Sequence, residues 1–105
     1  MIEQIFKLTN SKQKTIERII CDENLHYNHM ILPKGESLPL HKTNSNVYMY
    51  VVRGTLSISL NDQAKSVYES GTILKLSEGI LMNALNEHDD ILELTVVKAP
   101  APKNI

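Results

Sequence analysis

The stretch GESLPLHKTNSNVYMYVVRG, Gly35 to Gly54, decides the fold. Its second half, VYMYVV, is an unbroken apolar run of residues that favour strands. On a strand, Val47, Met49 and Val51 share one face, and Tyr48, Tyr50 and Val52 the other. A strand that is apolar on both faces is usually covered on both. Ahead of the run, His41 follows Gly35 by six residues and Thr43 follows His41 by two. His41 is the only histidine in the stretch.

Outward from this stretch the same two-residue period recurs. TIERIIC, Thr15 to Cys21, places Ile16, Arg18 and Ile20 on one face and Thr15, Glu17, Ile19 and Cys21 on the other. LHYNHMILP, Leu25 to Pro33, reads as a strand stopped by Pro33-Lys34-Gly35. TLSISL alternates cleanly, with Leu56, Ile58 and Leu60 on one side. LELTVV does the same, with Leu92, Leu94 and Val96 inward. Turn residues separate these runs at short, regular intervals, the rhythm of a sandwich or barrel. KQKTIERII can be drawn as a short helix, but it lacks a stop signal and reads better as a strand.

With these runs in place, the chain resembles a small single-domain cupin. The first cupin motif is G-x5-H-x-H-x3-E-x6-G. Gly35, His41 and Gly54 occupy matching positions, with Thr43 at the second histidine and Val47 at the glutamate. The second motif is G-x5-P-x-G-x2-H-x3-N. Gly71, Gly79 and Asn86 match it, with Ser77 at the proline and Met82 at the histidine. The resemblance runs from about residue 14 to residue 98 and implies an all-β fold, the cupin-type double-stranded β-helix, or jelly-roll barrel. The expected domain is a single barrel over 1–98, followed by a flexible Pro-containing tail over 99–105.

In cupins the motif histidines point into the barrel and hold a metal. Here one of the four ligand positions is kept. Thr43 is a neutral hydroxyl, Val47 has no donor atom, and Met82 offers a thioether that suits Cu(I) better than hard divalent ions. The sequence therefore predicts no metal and no cofactor. It predicts instead a small apolar chamber that binds a small molecule, lined by His41, Thr43, Val47, Met49 and Met82, with His41 and Thr43 as its polar contacts. Three alternatives stand beside this reading. His41 could act as acid or base in a metal-free, isomerase-like enzyme. His26 or His29 could join His41 in a non-standard metal site, although their odd spacing sends them to opposite faces of a strand. Or side chains could fill the barrel and leave a structural role only.

Composition narrows the partners. The 105 residues are 42% hydrophobic and 22% charged, ordinary for a globular domain, with enough chain for one core. A formal net charge of −1 gives no reason to expect nucleic acid or an anionic membrane as partner. No run approaches the ~20 apolar residues of a membrane helix. The opening MIEQIFKLTNSKQKT carries Glu3 and Lys7 within its apolar part and does not read as a signal peptide. The single cysteine, Cys21, has no internal partner, which suits a reducing cytoplasm. The outer face of the two-faced strand is expected to be covered by the N-terminal strand of the same chain or by a second subunit. The resemblance implies a dimer and tyrosine is favoured at interfaces, so a homodimer is expected.

Overall fold

Nine strands and no helix form within residues 1–103, the part of the chain that the computed structural model describes. In chain order they are β1 (Thr15–Cys21), β2 (His26–Pro33), β3 (His41–Lys42), β4 (Val47–Arg53), β5 (Thr55–Leu60), β6 (Ser66–Glu69), β7 (Ile73–Leu76), β8 (Leu81–Leu85) and β9 (Ile91–Lys98). They build two facing antiparallel sheets. One has the order β1-β2-β9-β4-β7, and the other β3-β8-β5-β6. The segment that could be drawn as a helix is the edge strand β1.

The period-2 patterns explain the core. Val47, Met49 and Val51 of β4 are fully or almost fully buried, and they face Leu92, Leu94 and Val96 of β9, Met30 and Leu32 of β2, and Leu56, Ile58, Met82 and Ala84 of the other sheet. Each of these side chains is apolar and inward because a strand sends alternate residues to one face. The other set of β4 points outward, as the alternation predicts. Tyr48, Tyr50 and Val52 are 36%, 37% and 36% exposed, so the described chain covers this face only in part.

Gly54 shows why a glycine ends this strand. Its φ is +88°, and a Cβ there would collide with the Ile91 carbonyl oxygen and sit 3.0 Å from Leu92 Cα. Only a residue without a side chain allows β4 to turn into β5 so close to β9.

Two features differ from the sequence reading. The alternation of β1 breaks between Arg18 and Ile20, where the register with β2 shifts. Ile16 and Arg18 stay on the inward face opposite Met30 and Asn28, while Ile20 pairs with Tyr27. A β-bulge adds a residue to one strand and reverses the facing of everything beyond it. The chain after β9 also does not hang loose. Ala99 N donates to Asn46 O, Ala101 N donates to Asn24 O, the Ser45 hydroxyl donates to Pro100 O, and Pro102 is buried. Residues 99–102 therefore strap the β1–β2 turn to the β3–β4 loop. The last two positions of the predicted tail lie outside the described residues. At the other end, the arm before β1 carries Ile2, Ile5, Phe6 and Leu8 largely in solvent and is tied back by Thr9 N donating to Glu17 Oε1 at 2.9 Å.

Candidate functional site

The inward rows of the five-stranded sheet change character toward one end. The row Leu32–Leu92 is apolar, and so is the row Met30–Leu94–Val51. The next row is Arg18–Asn28–Val96–Met49, and the last is His26–Lys98–Val47. Polar side chains thus enter at this open end, on strands whose facing is set by register. The opposite sheet closes over them with β3 and β8, where His41 is the direct register partner of Met82.

Between the sheets at this end lies a cavity of about 180 Å³. Its apolar walls include Ile16, Met30, Leu38, Val47, Met82 and Val96, and its polar lining is Arg18, Asn28, His41 and Lys98. Larger hollows of about 290 and 330 Å³ lie outside the barrel, against the tail and beside the β5–β6 turn, and no histidine or arginine lines them. The core side chains fill the middle of the barrel, and the hollow beside the motif histidine opens at its end.

The polar groups of the chamber are unequal. His41 Nδ1 donates to the Pro39 carbonyl at 2.8 Å. That bond leaves Nε2 as the free acceptor of the neutral ring. Asn28 is 7% exposed, and its Oδ1 is buried without a hydrogen-bond partner in the protein. Burial holds the Lys98 ammonium below its ordinary pKa, and the nearby charge of Arg18 adds to the shift. Among the described residues, neither Arg18 nor Lys98 forms an ion pair.

Of the predicted lining residues, His41, Val47 and Met82 do meet in the chamber. Thr43 and Met49 do not line it. Thr43 is buried elsewhere: its hydroxyl donates to Ser77 O at 2.7 Å and accepts from Ile80 N at 2.9 Å. Strand β3 ends at Lys42, so inward alternation stops before Thr43, which pins the β7–β8 turn instead. Met49 is 0% exposed and belongs to the core beneath the chamber. Arg18, Asn28 and Lys98 were missed because they come from three strands whose register no local pattern reveals. The one signal in the sequence was the placing of Arg18 on the Ile16 face of β1.

The residues at the cupin metal positions do not fit a metal. Val47 offers no donor atom, the Thr43 hydroxyl is committed to two backbone groups, and Met82 adds one soft sulfur beside a single imidazole. Nor do the other histidines repair the set. His26 lies at hydrogen-bond distance from Cys21, with Nε2 3.2 Å from Sγ. His29 faces away from the chamber and is held between Glu17 Oε1 at 2.7 Å and Glu93 Oε2 at 2.6 Å. Among the described residues no three His, Cys, Asp or Glu side chains gather as a metal-binding group.

Comparison with known proteins agrees with this architecture. No family model matches the chain. An uncharacterized protein of Methanocaldococcus jannaschii is 36% identical over 106 residues, spanning 100% of this chain and 91% of that protein. A crystal structure from the same organism, of an RmlC-like cupin family protein with a double-stranded β-helix fold, superposes with a TM-score of 0.95 at 36% identity, over 98% of this chain and 95% of that one. A cupin superfamily protein from Desulfitobacterium hafniense is similar in fold, with a TM-score of 0.76 at 11% identity over 89% of this chain and 83% of its own.

Proposed function

This chain belongs to the RmlC-like cupin family, and we propose that it holds a small molecule in the open end of its barrel without the help of a metal ion. One observation carries the reading: the 180 Å³ cavity at that end has apolar walls and four convergent polar side chains. A few placed polar groups on an apolar wall are the usual make-up of a ligand pocket. The volume is small, so the ligand is small. The test is a fragment screen by two-dimensional amide NMR on the wild type and on Ile16→Trp. Ile16 lines the cavity from the edge strand and is half exposed, so the larger ring can cover the chamber without disturbing the core. Fragments that shift the amides of His41, Val47 and Met82 in the wild type should lose that effect in the variant. A screen that perturbs none of these amides removes the reading.

A second reading makes the chain an enzyme, with His41 as acid or base on the bound molecule. The bond from Nδ1 to Pro39 favours it, because it leaves a basic Nε2 in fixed orientation. The residues lining the cavity include no second acid-base pair of the carboxylate kind.

We also propose that the protein is a homodimer. The support is the partly exposed outer face of β4, continued by Ile73 of β7 at 66% exposure, together with the exposed apolar arm before β1. Both are apolar surfaces of one chain, and a two-fold pairing can cover the one with the other. The unpaired Cys21 supports a reducing compartment such as the cytoplasm.

A further inference from the structure

The chamber carries two cations and no anion. Arg18 and Lys98 both face inward: Arg18 sits opposite Asn28 on β2, which in turn sits opposite Val96, two residues before Lys98 on β9. Arg18 is exposed at the rim and Lys98 is half-buried below it. Like charges brought together there favour the addition of something of opposite charge. Burial and the neighbouring guanidinium already weaken the hold of Lys98 on its proton. No carboxylate of the described residues pairs with either cation. Asn28, more than nine-tenths buried between them and the apolar floor, keeps a carbonyl oxygen without a donor. Such an oxygen is costly to bury unpaired and asks for an O–H or N–H from whatever enters.

We propose that the ligand of this chamber is a small hydroxycarboxylate, its carboxylate between Arg18 and Lys98, its hydroxyl donated to Asn28, and its short branched carbon body against Val47, Met82 and Val96. The proposal rests on the reading of the chamber as a ligand pocket and names what that pocket takes. A planar guanidinium beside an ammonium is suited to a carboxylate. An amine is repelled by the same pair, and a bare inorganic anion makes no use of the apolar walls. The cavity is too small to enclose a whole nucleotide.

The test is isothermal titration, with amide NMR to locate binding, at about 0.15 M salt, where loose surface attraction is largely screened. The probes are 2-hydroxy-3-methylbutanoate, its neutral amide, 3-methylbutanoate without the hydroxyl, and inorganic phosphate. The expected order is hydroxycarboxylate at least tenfold tighter than the amide and severalfold tighter than the plain carboxylate, with phosphate weakest. Arg18→Met with Lys98→Met should abolish the preference over the amide while keeping the apolar stems that pack at the rim. Equal binding of amide and carboxylate at His41, Val47 and Met82 overturns the anionic ligand but leaves the pocket standing. Equal binding with and without the hydroxyl overturns the role of Asn28. Tighter binding of phosphate overturns the carboxylate. Absence of any shift at these amides with all four probes overturns the proposal, and the fragment screen then decides whether the pocket reading falls with it.

Discussion

His29 Nε2 stands 2.6 Å from Glu93 Oε2 in a position with no solvent exposure, on the outward face of the five-stranded sheet. The ring's other nitrogen meets Glu17, so one imidazole ties β1 and β9 to β2. Removing the ring leaves two partly buried carboxylates facing a hole. His29→Ala is expected to cost about 3 kcal/mol, the scale for breaking a buried charged contact from one side. Urea unfolding at pH 7 measures it, and a loss below about 1 kcal/mol would show the contact to be ornamental.

The same cluster sets part of the acid response. The Thr9 N–H, and after it His29, hold the Glu17 carboxyl below the ordinary glutamate range. A carboxylate whose folded pKa is depressed adds stability above its unfolded value, near ~4.3, and loses it as pH falls through the lower folded value. Wild-type stability should therefore drop below about pH 4.5 more steeply than that of Glu17→Gln. Parallel curves for the two proteins would remove Glu17 from the account.

Glycine substitutions should separate crowding from backbone strain. Gly54 and Gly71 have nearly the same φ, +88° and +90°, but a Cβ on Gly71 meets nothing while one on Gly54 strikes β9. Gly71→Ala should cost about 1 kcal/mol, for the left-handed backbone alone. Gly54→Ala should cost at least twice that or fail to fold. Equal costs, read from thermal unfolding, would mean that β9 yields easily at Ile91.

These positions also show what could be read in advance. The alternation Val47-Met49-Val51 and the four turn glycines are local patterns, and local patterns carry strand facing and turn geometry. The barrel followed from them and from the motif spacing. The chamber did not follow so directly. Thr43 was misplaced because β3 is two residues long, and alternation cannot be extended past the end of a strand. Arg18, Asn28 and Lys98 converge only through the β1–β2 and β2–β9 registers, which depend on pairing between segments distant in sequence. Lys98 ends an apolar strand, and its partial burial comes from its register partners His26 and Val47.

The outer face of β4 yields a prediction about mass. Tyr50 lies near the middle of the partly exposed patch, beside Ile73 on β7, its register partner. Tyr50→Glu places a charge at the centre of the proposed interface without touching the core. Sedimentation velocity should give a dimer for the wild type at micromolar concentration and a monomer for the variant. A monomeric wild type would remove the dimer and leave the apolar face unexplained.

A metal site can be built only where the side chains converge, and the registers specify where that is. His41 and Met82 are direct partners, and Val47 lines the same cavity. Met82→His with Val47→Glu should therefore add two donors to His41 and create a three-ligand site suited to Zn. Thr43→His should add nothing, since that side chain faces Ser77 and Ile80 and its replacement loses both bonds. The wild type should carry no stoichiometric first-row metal by elemental analysis of untagged protein. The double variant should be less stable than wild type without metal, because Val47 is 1% exposed and a carboxylate there is costly. Added Zn should restore stability, by ~2.7 kcal/mol at a hundred times its dissociation constant. One competing result has its own signature. The register partner of Val47 on β9 is Lys98, so the new carboxylate can form an ion pair instead of a metal bond. In that case Val47→Glu alone keeps its stability, Zn shifts nothing, and Lys98→Met in the double variant should bring the metal response back.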